Sequence, residues 1–263
     1  MRGGIAAVLL GCAGLAPADD GAGPKALRVL TYNIHHGEGT DGKLDLPRVA
    51  AVIKAARPDL VALQEVDRNT TRTGKVDQTA ELAKLTGLHA EFGKAIDLQG
   101  GGYGLAVLSR FPLKGVKTDP LPGKKGQEGR IVMRATVEPG GGAPPVTFLN
   151  THFQHDDGPT REAQAAKIDE LFGAAEGAFI LTGDLNATPG SAPVKALAKT
   201  WAFATEPGGK GLLTIPADVP RQQIDYVLFR PAGRFRPVEA RVIEEAVASD
   251  HRPVLAVLEW TGR

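Results

Sequence analysis

A layered α/β sandwich is the fold class this chain predicts, and three observations predict it. Short apolar, β-branched runs recur along most of the 263 residues, interrupted by a few stripes with helical spacing. Thirty-three glycines and nineteen prolines are spread throughout, which calls for many turns and hence many strands. The connections are short enough for antiparallel pairing, and no composition shift or linker marks a domain boundary, so strands and helices belong to one layered unit. Hydrophobic residues make up 42% of the chain, enough for a sizeable core and too few for a membrane protein. A net charge of +1 gives no global field for steering toward nucleic acid.

The first 24 residues stand apart. Arg2 precedes the apolar run 5–10, too short to span a bilayer and similar to the h-region of an export signal. Leu9-Leu10-Gly11-Cys12 resembles a bacterial lipobox, which would place a lipid anchor on the sole cysteine; Ala16-Pro17-Ala18 resembles an ordinary secretion site. Either reading predicts an exported protein, an envelope lipoprotein or a secreted one, with 19–24 as a tether. The mature domain, 25–263, then has no disulfide.

Within it, 27–34 reads as a strand, apolar and β-branched before Gly37 and Gly39. Asp45 offers an N-cap and Leu46-Pro47 a first turn for a helix carrying Val49, Val52, Ile53 and Ala56 on one stripe, ended by Pro58. Residues 59–64 form a nearly all-apolar strand stopping at Glu65, and 78–86 a weaker helix closed by Gly87. Strands follow at 89–95, 105–109, 131–137 and 146–151. A helix over 160–175 has Ile168, Leu171, Phe172 and Ala175 on one face. The strand 179–182, a helix over 192–199, and strands at 224–229, 238–243 and 254–258 complete the chain. The triple glycines at 100–102 and 140–142 read as loops.

Polar groups gather where these strands end. Glu65 follows Leu60-Val61-Ala62-Leu63; a desolvated carboxylate there needs a partner, either a cation or Arg68. Asp184 and Asn186 follow the 179–182 strand, where they suit either an Asx-turn or a water- and phosphoryl-holding pair. Asp225 enters an apolar strand and needs Arg221, Arg252 or a histidine, with His251 beside Asp250 available. His152 ends the 146–151 strand, and Asn33 lies in Tyr32-Asn33-Ile34. Acids, amides and imidazoles at several strand ends suit a hard divalent cation and a phosphate ester.

In order, Thr-Tyr-Asn-Ile at 31–34, Leu-Gln-Glu-Val at 63–66, Leu-Ser-Arg-Phe-Pro at 108–112, Asn-Thr-His-Phe at 150–153, Gly-Asp-Leu-Asn at 183–186, Ile-Asp-Tyr-Val at 224–227 and Ser-Asp-His-Arg-Pro-Val at 249–254 resemble the endonuclease/exonuclease/phosphatase superfamily, which includes deoxyribonuclease I. The resemblance covers about 27–260. It implies a four-layered α/β/β/α sandwich of two mostly antiparallel sheets. It implies Mg2+ or Mn2+ held by Glu65, Asn33 and Asp250. Asp184 with Asn186 would align the attacking water, while His251, paired with Asp225, and His152 would stabilise phosphoryl charge. The substrate would be a phosphate ester: a small molecule, a lipid headgroup or nucleic acid.

His152-Phe153-Gln154-His155, Arg161-x-x-Gln164-Ala165 and the 216–220 stretch before Gln222-Gln223-Ile224-Asp225 are similar to a bacterial, often exported branch; by that resemblance His155, Arg161 and Arg130 could touch an anionic substrate, against surface solvation or helix capping as the role of each arginine. One departure from the family stands out. Gly104-Leu105-Ala106 replaces a frequent Gly-Asn-Ala and removes one polar substrate contact. No obligate protein partner is indicated, and a monomer is expected.

Three other readings compete. Seven basic residues in 110–134, against Asp119 and Glu128, would suit a secreted nuclease or a solvated hairpin. His35, His36, His152 and His155 would suit a zinc protein, although oxygen donors dominate the polar set. An envelope-anchored binding module of the same fold would leave its buried acids without a use.

Overall fold

The computed structural model describes residues 24–262. The export-signal and lipid-anchor readings, Cys12 included, fall on residues outside that range. The elements in chain order are β1 (Ala26–Asn33), α1 (Leu46–Ala56), β2 (Leu60–Arg68), α2 (Gln78–Thr86), β3 (His89–Leu98), β4 (Gly101–Ser109), β5 (Lys114–Leu121), β6 (Arg130–Val137), β7 (Val146–His152), α3 (Gly158–Phe172), β8 (Ala178–Asp184), α4 (Ala192–Leu197), β9 (Ala202–Phe203), β10 (Asp225–Arg230), β11 (Phe235–Val242) and β12 (Val254–Trp260).

Two six-stranded sheets result, ordered β11-β12-β1-β2-β4-β3 and β5-β6-β7-β8-β10-β9. Only β1–β2 and β7–β8 pair in parallel, each joined through a helix, α1 or α3; the other pairs are antiparallel. Strand alternation splits the apolar residues into layers. Leu27 and Val29 of β1 join Ala62, Phe148, Ile180 and Val227 between the sheets. Leu30 and Tyr32, of opposite parity, pack with Val49 and Ile53 of α1 on the outside of the first sheet. Leu149, Leu181 and Tyr226 pack with Ile168 and Val194 outside the second. Three cores separate four layers, α/β/β/α, the predicted sandwich.

The helix ends follow their sequence signals. Asp45 Oδ1 accepts from Arg48 N at 2.9 Å to cap α1, and Gly87 closes α2 in a left-handed conformation. Two features depart from expectation. The segment 114–121 is a strand, β5, despite Pro120; as the outermost strand of its sheet it tolerates a residue without an N–H. Gly101 and Gly102 open β4 rather than lying in a loop, opposite Leu98 and Asp97. Gly101 is required there because a Cβ would lie 2.4 Å from Arg68 O.

Candidate active site

The parity that builds the inter-sheet core also builds a polar cluster at one end of it. Leu27 and Val29 face between the sheets, so Thr31 and Asn33, two and four residues on, face the same way at the end of β1. In β7 the series Val146, Phe148 leads to Asn150 and His152; in β8, Ile180 leads to Thr182 and Asp184. Asp225 opens β10 on the face that later carries Val227 and Phe229. The parallel pairs end, and their antiparallel neighbours begin, at this one edge. Register places His152, Asp184 and Asp225 side by side across β7, β8 and β10. Gly183 permits that close pairing: its φ is +150°, and a Cβ there would meet Thr151 O at 2.0 Å.

Glu65 breaks the alternation. The β2–β4 register shifts between Leu63 and Val66, and Glu65 sits at φ +57°, so this bulge re-aims its carboxylate to the edge of the cluster. Asn33 Nδ2 donates to Glu65 Oε1 at 3.0 Å and to Asp184 Oδ2 at 3.2 Å, tying the first sheet to the second. Beneath them Gln64 Nε2 donates to Asn150 Oδ1 at 2.7 Å, and Asn150 Nδ2 donates to Leu63 O and Ala106 O. This buried amide chain bolts the sheets together directly under the site.

Asp184 is 1% exposed and its Oδ1 accepts from Asn186 N at 2.8 Å, an Asx-type turn that holds Asn186 at φ +46°. Burial first, and then the Asp225 carboxylate, raises Asp184 above the usual carboxylate range. His251 Nδ1 lies 3.0 Å from Asp225 Oδ2, and its Nε2 lies 3.7 Å from Asp184 Oδ2. Burial disfavours the His251 cation, but Asp225 and Asp184 outweigh that cost and raise the ring above the ordinary histidine range. Neither Arg221 nor Arg252 pairs with Asp225; Arg252 Nε instead donates to Ala217 O.

His152 has the opposite environment. Burial, then the neighbouring Arg130, holds it well below the ordinary range, so the ring is neutral. Arg130 Nη1 lies 2.9 Å from His152 Nδ1. A guanidinium has only donors, so a bond from Arg130 needs Nδ1 as acceptor, with Nε2 3.5 Å from Asp184 Oδ2. Asn186 Nδ2, also a donor, lies 3.0 Å from that Nε2 and donates to Phe153 O at 3.0 Å, so Arg130 and Asn186 compete for the single lone pair of the neutral ring.

A cleft of about 300 Å³ opens over these groups, lined by Glu65, His152, Asp184, Asn186 and His251, with Arg130 and His155 beside them. Its walls include residues that the sequence did not single out for the site: Arg72, Ile96, Leu98, Tyr103 and Glu128. Arg72 comes from the loop between β2 and α2, Ile96, Leu98 and Tyr103 from the β3–β4 hairpin and Glu128 from the approach to β6, and nothing in their local sequence marks them. Arg161 is not among the lining residues. Its Nη1 donates to Gln154 O and His155 O, and Gln164 Oε1 accepts from Gln154 N, so this Arg-x-x-Gln pair clamps the loop carrying His155. Asp250 is half-buried beside the cleft, its Oδ1 accepting from Ser249 Oγ at 3.3 Å. Leu105 is buried in the inter-sheet core, at the position where the resemblance would put an amide. The four histidines of the zinc reading divide: His35 and His36 approach Glu65, while His152 and His155 line the cleft.

The family model for the Endonuclease/Exonuclease/phosphatase family matches residues 30–251. The chain belongs to that family. Among solved structures, the endonuclease/exonuclease/phosphatase protein of Beutenbergia cavernae DSM 12333 is 26% identical, with a TM-score of 0.73 over 90% of this chain and 72% of that one. A family member from Bacteroides vulgatus is 21% identical, with a TM-score of 0.70 over 90% of this chain and all of the other. The mannosyl-6-phosphatase of Bacteroides thetaiotaomicron VPI-5482 is 18% identical, with a TM-score of 0.72 over 89% of this chain and all of that one. No curated protein matches the chain significantly.

As a member of this family the protein is a hydrolytic phosphoesterase. Its donor set fits a divalent metal. Asp184, Asp225 and His251 each offer a ligand atom within 4.8 Å of the others, all buried. Asp225 Oδ1 is buried without a hydrogen-bond partner, a state that a cation or water would relieve.

Proposed function

We propose that this protein is an exported, Mg2+- or Mn2+-dependent phosphoesterase that hydrolyses a small phosphate mono- or diester by in-line attack of water. The observation that carries the reading is the meeting of Asn33, Glu65, His152, Asp184, Asn186 and His251 from two sheets at one cleft. Glu65 and Asp250 would hold the ion with hard carboxylate oxygens suited to Mg2+ or Mn2+, with Asn33 beside them donating Nδ2 to Glu65 Oε1. The bound cation would supply Lewis-acid polarisation of a phosphoryl oxygen.

The chain's own groups account for the rest. Asp184, with its proton affinity raised toward neutrality, suits the acceptor of a proton from the attacking water. Asn33 and the Asn186 backbone N–H fix its two oxygens. His251, held cationic and oriented by Asp225, presents Nε2 to the developing phosphoryl charge. His152 presents its neutral ring from the other side, held between Arg130 and Asn186. Water oxygen bonds to phosphorus as the phosphorus–oxygen ester bond breaks.

A small headgroup is favoured over a nucleic-acid strand. Five of the seven basic residues in 110–134 already pair with acids: Arg110 with Asp59, Lys114 with Glu138, Lys124 with Asp157, Arg130 with Glu128 and Arg134 with Asp119. A backbone-gripping surface needs those cations free. The fold similarity to a protein named as a mannosyl-6-phosphatase supports a sugar-phosphate class of substrate. Export rests on the amino-terminal signal, with Cys12 as the lipid anchor if the lipobox is used. The test is hydrolysis of sugar phosphates, phospholipid headgroups, inositol phosphates and nucleic acids with Mg2+ or Mn2+. Sugar-phosphate turnover that disappears with chelator supports the reading; turnover of nucleic acid alone, or of nothing, refutes it.

A further inference from the structure

Beside the hydrolytic cluster lies a second group of metal donors, of which His35 and His36 have no part in the proposed reaction. His35, His36 and Glu65 each offer a ligand atom, and the three atoms lie within 4.8 Å of one another. An ion about 2.1 Å from nitrogen or oxygen donors spaces its ligands by roughly 3–4 Å, so only small side-chain rotations separate this triangle from a coordination shell.

The outer contacts of the two rings point the same way. His35 Nδ1 lies 3.1 Å from Glu38 O, a carbonyl that can only accept, so Nδ1 carries the proton and Nε2 keeps a free lone pair. His36 Nε2 lies 3.3 Å from Glu38 Oε2, while its Nδ1 is buried with no partner at all. Each imidazole therefore has one nitrogen oriented by an oxygen of Glu38 and the other unengaged, the arrangement that metal-binding histidines adopt. Glu65 Oε1 is taken by Asn33 Nδ2, which leaves its second oxygen available.

The backbone is held in an unusual form to achieve this. His35 and His36 are both left-handed, at φ +45° and +43°, with the rings edge to face at 4.5 Å. Consecutive non-glycine residues in that region are strained and persist where surrounding contacts impose them. Here Gln78 Nε2 donates to His36 O at 2.6 Å, and His35 N donates to Asn33 Oδ1 at 3.0 Å. The nearby Arg72 is already engaged by both oxygens of Asp67, at 2.7 and 2.8 Å.

We propose that His35, His36 and Glu65 form a separate binding site for a borderline transition ion of the Zn2+ class, with an open fourth position. Two imidazoles and a carboxylate select such an ion over Mg2+. Glu65 would be shared with the ion of the proposed hydrolytic centre; that adjacency rests on the phosphoesterase reading, whereas Zn2+ binding itself does not.

The test is calorimetric titration of Zn2+ into the metal-free full chain in excess Mg2+. Parallel Co2+ titrations would be followed by visible absorption, which reports nitrogen ligation. The wild type is expected to take up one equivalent. His35→Asn and His36→Asn are each expected to weaken binding at least about 100-fold, beyond the 10–100-fold typical of residues outside the ligand shell. The double variant is expected to abolish it, while Asp225→Asn keeps it. Asn tolerates left-handed φ better than most residues, and melting curves without metal check that each variant is folded. No Zn2+ uptake by the wild type, uptake that survives the double variant, or uptake lost in Asp225→Asn would each overturn the site. Hydrolysis with Mg2+ alone is read separately. Its failure with Zn2+ binding intact sinks only the proposed function, and the reverse result sinks only this site.

Discussion

His251 Nδ1 and Asp225 Oδ2 stand 3.0 Å apart, joining the loop before β12 to the first residue of β10. Both side chains are almost fully buried, so the pair has little competition from water. The carboxylate fixes which ring nitrogen faces the cleft and keeps the ring charged. Asp225→Asn removes the charge at nearly constant volume. It is expected to lower kcat by about two to four orders of magnitude, the range for a lost acid–base or orienting group. His251→Ala should cost about as much, and the double variant little more than either alone. Additive losses would show that the two side chains act independently.

The same cluster sets a pH dependence of stability. His251 and Asp184 are both raised above their unfolded values, near 6.5 and 3.9. A raised group stabilises fully below its unfolded pKa, and that contribution is lost as pH climbs through the folded one. In chelator the melting temperature should therefore fall steadily from weakly acidic to alkaline pH. Mg2+ should oppose the fall most at the alkaline end, where the carboxylates are ionised. A flat profile in chelator would contradict the assigned environments.

In the proposed reaction Arg130 would act through His152. Its Nη1 lies 2.9 Å from His152 Nδ1 and is also bound to Glu128 Oε1 at 2.7 Å. Arg130→Ala frees the ring to take the other tautomer or to protonate. The expected result is a kcat reduced about 10- to 100-fold with KM little changed. The 15N shifts of His152 should change, reporting a new tautomer or protonation state. A rise in KM at constant kcat would instead make Arg130 a direct substrate contact.

Much of this site was legible before any coordinates. Period-two alternation carried the core positions of β1, β7 and β8 straight onto Asn33, His152 and Asp184, so the polar strand ends already implied a shared edge. Partner choice was less legible. Asp225 was open to two arginines and a histidine, and only the fold brings His251 to it. Arg161 had a motif but no direction, and the structure turns it onto backbone carbonyls. The cleft walls at Ile96, Leu98 and Tyr103 depend on how the β3–β4 hairpin curls, a long-range property without a local signature. β5 escaped notice because an edge strand needs neither an apolar run nor freedom from proline.

Glu65→Ala tests the proposed metal centre at a half-buried member. The side chain is half-buried at a bulge, and its loss should leave the sheets intact. Activity is expected to fall by at least about two orders of magnitude while melting in chelator is nearly unchanged. Glu65→Gln keeps the shape and one acceptor, so partial rescue at high Mg2+ should separate ligand loss from misfolding.

Asn150 tests whether the site depends on the bolt beneath it. Its amide accepts from Gln64 and donates to two carbonyls from different strands, Leu63 O and Ala106 O. Asn150→Leu conserves volume but strands three buried polar groups, each worth about 1–3 kcal/mol when unpaired. Urea unfolding should show a loss of at least about 2 kcal/mol with an unchanged m value. Activity per folded molecule should fall as well, because the same strand leads two residues on to His152. Adding Gln64→Leu removes one of the stranded donors but also its bond to Thr31 Oγ1 at 3.1 Å, so the double variant should lose less than the sum of the two single losses. A double variant less stable than the sum of the two single losses would mean that the amides pack rather than pair, and that the sheets are joined here by shape alone.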